Sequence, residues 1–138
     1  MSVFSLLAIG LVVVVLISAA GGKVRINRRE VEDLEAKLRP QPGVEAASRA
    51  RGAAEREEWD DGEAEFEAFV SGLGLPDGSD VEFVVEGIVL GRVALERGRA
   101  RLEFDSRSGE DVPPIAADQR IEVHHGGTVL MVGQFRHD

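Results

Sequence analysis

The chain has 138 residues, a formal net charge of −9, no cysteine, no tyrosine and one tryptophan. That length accommodates one ordinary domain and an appendage. The missing cysteines exclude disulfides, thiolate metal centres and a cysteine nucleophile, and the acidic balance excludes a nucleic-acid binder built on a cationic stripe.

Residues 2–22 contain no charged side chain. As a helix rising about 1.5 Å per residue, residues 3–20 span roughly 27 Å, close to the roughly 30 Å of a bilayer core. The β-branched run Val12 to Val15 weakens a helix in water, but in lipid a single segment satisfies its backbone only as a helix. Residues 1–22 are therefore expected to form a transmembrane helix. A cleaved signal peptide is the other reading, with Ser18, Ala19 and Ala20 as its cleavage site, but no basic residue precedes the apolar run. Ser5, Ala8 and Gly10 are small enough to let other membrane helices approach closely.

Lys23, Arg25, Arg28 and Arg29 follow at once. Positive residues favour the cytoplasmic side, which puts the N-terminus outside and the rest of the chain on the cytoplasmic face of the inner membrane. The same four side chains are placed to meet anionic lipid headgroups. Residues 23–40 read as this basic collar followed by a short helix. Asn27 caps it with Glu30 in a capping-box position, Val31, Leu34 and Leu38 form its apolar stripe, and Pro40 and Pro42 end it. Residues 41–62, rich in Pro, Gly, Ala, Arg and Glu, read as a linker with Trp59 near its end.

Over residues 63–138 the pattern becomes alternating, with glycine punctuation. Strands are predicted over 65–71, 81–86, 89–96, 99–106, 120–125 and 128–136. Such a chain is mainly β, a small six-stranded antiparallel β-sandwich or barrel. A two-residue turn at Arg97 and Gly98 would pair Glu96 with Arg99, Leu95 with Ala100, Val93 with Leu102 and Arg92 with Glu103. A three-residue connection over 86–88 would set Val85 against Val89 and Val81 against Val93. The expected core is Phe66, Val70, Phe83, Val85, Val93, Leu95, Leu102, Phe104, Ile121, Val123 and Phe135. The last strand, with Val129, Leu130, Met131 and Val132, is apolar at both parities. Either its own domain covers both faces, or Leu130 and Val132, with Trp59, contact a partner or the bilayer.

Charge is partitioned along the chain. Residues 21–59 carry nine basic and eight acidic side chains, and residues 60–138 carry seven and seventeen. A basic collar at the membrane thus precedes a strongly acidic domain, which suits a protein partner with basic patches.

Motifs for chemistry are sparse. His124 and His125 are adjacent on a predicted strand, so they point to opposite faces and cannot chelate one ion. Asp60, Asp61, Asp77 and Asp80 lack the calcium-loop spacing. Arg101, Glu103 and Asp105 share a parity and read as surface charge pairs. Gly72, Leu73 and Gly74 fit no nucleotide-binding fingerprint, and Ser106 and Ser108 lack a paired base. No catalytic, cofactor-binding or metal-binding residue is expected, and no cofactor.

The stretch LPDGSDVEFVVEGIVLGRVALERGRARLEF, followed by GEDVPPIAADQRIEV and a final GQF, resembles a small uncharacterised β-domain found in many GC-rich bacterial proteins. The resemblance covers about residues 65–135 and implies a fold with no assigned activity. Where that pattern has glycine before the penultimate strand, this chain has Asp118, which also tolerates turn geometry. In layout alone the chain is similar to the H subunit of purple-bacterial reaction centres. The expectation is a single-pass, non-enzymatic accessory subunit, binding other integral membrane subunits of a larger complex such as a photosynthetic or respiratory one. The alternative is an exported or envelope-anchored β-domain with a ligand-binding or adhesive role.

Overall fold

In the structure of the protein, a computed structural model, residues 28–138 are described. The transmembrane helix expected over residues 1–22, together with Lys23 and Arg25, lies outside them. Among the described residues no helix is long and apolar enough to cross a membrane.

Among the described residues, nine strands make one nearly closed antiparallel barrel. They are β1 (Glu30–Pro40), β2 (Arg51–Trp59), β3 (Ala64–Ser71), β4 (Asp80–Val85), β5 (Ile88–Ala94), β6 (Ala100–Asp105), β7 (Arg120–His125), β8 (Thr128–Gln134) and β9 (Arg136–His137). The order around the wall is β5-β4-β7-β8-β1-β2-β3-β6, with β9 added to β1. Strand β1 joins the two halves. It pairs along most of its length with β2, while Arg39 and Pro40 pair with Val132 and Met131 of β8.

Two expected elements are overturned. The short helix predicted within residues 23–40 is strand β1, and the linker over residues 41–62 holds β2 and a single 3-10 turn, Glu45–Ala47. In β1, Leu34, Ala36 and Leu38 alternate into the core while Glu35 and Lys37 face out. Glu, Ala, Lys and Leu favour helices intrinsically, but that preference is a few tenths of a kcal/mol per residue. Burying a two-residue apolar repeat against β2 outweighs it. Val31, which the helical reading put on the apolar stripe, sits at a register shift between Glu30 and Glu32 and is 55% exposed.

The six predicted strands correspond to β3 to β8, whose ends fall within two residues of the predicted ones. Two hairpins differ in detail. Glu86 and Gly87 both have positive φ and form a two-residue turn, so Val85 pairs with Ile88, not Val89. A bulge then restores Val81 opposite Val93. At the turn Arg97–Gly98, also with two positive φ values, the bridge Glu96–Arg99 forms, but the ladder stops there. Beyond it β5 continues on β4, and β6 pairs with β3, so Leu102 opposes Ala68 and Glu103 opposes Glu67. The turn forms as its residues predict, but its two arms diverge into the two ends of the wall.

Eight of the expected core residues are buried, and Val93, Leu102 and Phe104 are partly buried against them. The double-parity strand β8 is explained by a second bulge, between the pairs Val123–Met131 and His124–Val129. The extra residue, Leu130, lets both Leu130 and Met131 turn inward. Asp118 adopts φ +73°, the left-handed conformation that glycine would supply. At the β1–β8 junction a Cβ on Gly133 would stand 2.6 Å from the Lys37 carbonyl oxygen. Gly133→Ala is therefore expected to force these strands apart and to destabilise the fold by about 1–3 kcal/mol in urea denaturation. An unchanged midpoint would contradict the close approach.

Candidate functional site

Paired residues on neighbouring strands share a face, so the register of β1, β2, β3 and β6 places side chains in rows across the outer wall. One row is Asp33, Glu57, Glu65 and Asp105; the next is Glu35, Glu55, Glu67 and Glu103. Eight carboxylates thus lie in two adjacent rows, like charge opposite like, an arrangement that costs stability unless each group finds a counter-charge or a proton. The following row, Lys37, Ala53, Phe69 and Arg101, is cationic at both ends.

The β6 side of the acidic field is neutralised by arginine. Arg101 Nη1 lies 2.9 Å from Glu67 and 3.4 Å from Glu103. Arg107 pairs with Glu65, and its Nε is 3.6 Å from Asp105. Burial still raises the Glu67 carboxyl to about 7 and pushes Glu65 up, against the opposing pull of Arg101 and Arg107 respectively.

The β1–β2 side differs. Glu57 is 4% exposed, and among the described residues no Lys, Arg or His forms an ion pair with Glu30, Asp33 or Glu57. Carboxylate oxygens of Glu30, Asp33 and Glu57 all lie within 4.8 Å of one another, as do those of Asp33, Glu55 and Asp138. Asp33 links the two groups. The backbone N–H of Asp138 donates to the Asp33 carbonyl at 3.0 Å, which fixes Asp138 beside β1. Burial first, then the neighbouring Glu30, Glu55 and Asp33, pushes Glu57 up to about 11. Burial raises Asp33 to about 6, opposed by a hydrogen bond with Glu55.

Trp59 lies on the same face of β2, two residues beyond Glu57 and opposite Glu30. The guanidinium of Arg28 stands 4.3 Å from its ring centroid and that of Arg107 5.7 Å. Arg28 Nε is 3.0 Å from Asp61. At the inner face, buried Arg56 donates to the Pro113 carbonyl at 2.7 Å and pairs with Glu58, tying β2 to the loop that precedes β7.

The residues expected to meet a partner or lipid are placed differently. Trp59 and Leu130 are 1% and 2% exposed, taken up within the chain's own fold, and Val132 is half-buried, paired with Arg39 and Glu122. Arg28 is folded onto Trp59, whereas Arg29 is exposed. The two histidines part as expected. His124 Nε2 lies 2.7 Å from Glu122, whose carboxyl this contact holds below its ordinary range, and His125 Nδ1 lies 2.7 Å from the Asp80 carbonyl. The carboxylate rows themselves were missed because residues 30–58 read as helix and linker. The usable signal was the alternation of Asp33, Glu35 and Lys37 with Leu34, Ala36 and Leu38.

Raised carboxyls give the fold a definite pH dependence. A group protonated in the fold but ionised in the unfolded chain contributes its stability below the ordinary carboxylate range, and that stability is lost as pH rises. For Glu57 the loss runs upward from 4.5 towards about 11, and for Asp33 from 3.8 to about 6. In metal-free buffer, the urea-unfolding free energy should therefore fall between pH 5 and pH 8 (about three pH units, a linkage-scale change). Glu57→Gln should flatten that fall and add about 1–3 kcal/mol at the alkaline end. A flat wild-type profile, or a less stable variant there, would contradict the assignment. Comparison with protein-family models and with curated proteins returns no match to this chain.

Proposed function

We propose that the chain is a single-pass, membrane-anchored, non-enzymatic accessory subunit of a larger membrane complex. The uncharged segment 2–22 is its anchor, with the N-terminus outside and the barrel on the cytoplasmic face, where it stabilises assembly with other integral membrane subunits.

The observation that carries this reading is how soon the folded body starts. The residues expected to form a short helix and a linker hold strands β1 and β2, and Arg28 is already fastened to Trp59 and Asp61. Five residues, 23–27, lie between the uncharged segment and Arg28. Fully extended they reach roughly 17 Å. A barrel on so short a tether stays next to the anchor and keeps a fixed outer face towards its neighbours. The interior supports the same reading, because Phe66, Phe83, Ile121, Met131 and Phe135 fill it. The surface, with its graded acidic and basic rows, is what the barrel offers a partner.

Extraction of the full chain in mild detergent, followed by native mass spectrometry, should find it with integral membrane proteins. Migration as a lone monomer would contradict the proposal. A reporter fused after Asp138 should be active only in the cytoplasm; export-dependent activity would favour the envelope-domain reading.

A further inference from the structure

We propose that Glu30, Asp33 and Glu57 form a binding site for a hard divalent cation of the calcium class, on the outer wall of the barrel where β1 meets β2. The inference is independent of how the chain is anchored.

Three observations converge on it. The first is the donor set. Only carboxylate oxygens are offered, and oxygen-only sites select calcium or magnesium over softer metals. The second is spacing. The three ligand atoms lie within 4.8 Å of one another. Oxygens on opposite sides of a calcium ion, each at about 2.3–2.6 Å, stand roughly 4.6–5.2 Å apart, so one ion can touch all three. Calcium's tolerance of irregular geometry also suits ligands placed by a register shift, the one between Glu30 and Glu32.

The third observation points to a ligand directly. Glu57 is 4% exposed, and its Oε2 is buried with no hydrogen-bond donor among the described residues; the same holds for Asp33 Oδ1. The group that Glu57 does meet is another carboxyl, Glu30. Two carboxyls in contact share a proton or are bridged by a cation. The β6 side of the same rows settles its charge with Arg101 and Arg107. Among the described residues, no Lys, Arg or His forms an ion pair with Glu30, Asp33 or Glu57 on the β1–β2 side. Asp138 and Glu55, gathered around Asp33, add acidic character next to the site.

The single tryptophan makes the site observable. Trp59 is the cross-strand partner of Glu30 and lies two residues from Glu57 on the same face, within about 7 Å along the strand. Terbium bound there should be excited through Trp59. The full chain in mild detergent, titrated with terbium chloride at neutral pH, should give sensitised emission that saturates at one ion per chain. Calcium chloride should displace it with a midpoint below about 1 mM, the range of weak protein calcium sites. Glu57→Gln and Asp33→Asn, each checked for a native circular-dichroism spectrum, should weaken terbium binding at least about tenfold, as expected for loss of a charged ligand. Asp111→Asn, on an exposed loop residue, should leave it unchanged.

Absence of sensitised emission from the wild type would overturn the proposal and leave a proton as the occupant of the cluster. Emission that survives both ligand substitutions, or that calcium at about 10 mM fails to displace, would overturn it equally.

Discussion

Strand β2 is buried on both of its faces, and the rest of the structure depends on that. Ala54 lies against the core on one side, with Arg56 at the barrel end, while Glu55, Glu57 and Trp59 are buried on the other. Sheet strands ordinarily leave one face to water, and charged residues there are solvated. Here a strand with the sequence RGAAEREEW sits in the middle of the wall between β1 and β3. Its charges must be matched by protons, arginines or ions, and those requirements create the chemistry of the outer face. The Arg56 hydrogen bond to Pro113 extends the same constraint inward, because it anchors the loop before β7. Leaving that guanidinium without partners would cost about 1–3 kcal/mol.

How much of this was legible in the sequence depended on local contrast. Residues 120–125 alternate Ile121 and Val123 with Arg120 and Glu122, and their strand was placed without error. The turn at Arg97 and Gly98 was likewise found from its residues, because positive φ at two successive positions restricts composition strongly. What followed the turn was not legible. Whether β6 returns along β5 or crosses to β3 is decided by closure of the wall, and no local rule contains that. In β1 and β2 the failure had another cause. Ala, Glu, Lys and Arg dominate both strands, so intrinsic helix preference spoke against the answer, and the buried charges of β2 removed the polar–apolar alternation that would have corrected it. The candidate site sits in those two strands, so it was hidden with them.

The bulges show how a barrel this small handles excess apolar residues. Strand β8 carries four in a row, Val129 to Val132, and a regular strand would have turned two of them outward. One added residue, Leu130, rotates the pleat so that Leu130 and Met131 both enter the core. Leu130, one of the residues expected to contact a partner, is thereby packed into the core. The outer wall of β1, β2, β3 and β6 carries fixed rows of charge. Interactions among such exposed charges are screened by salt.

The central claim is that residues 51–59 form an interior strand of the barrel, and native-state hydrogen exchange of the full chain tests it most directly. Backbone amides of a central strand exchange only through large-scale opening, whereas those of a linker exchange almost at the unprotected rate. The account predicts that the amides of Ala54, Arg56 and Glu58 are protected as strongly as those of Ile121 and Val123 in β7. Exchange across residues 51–59 at the rate of an unstructured peptide would contradict it.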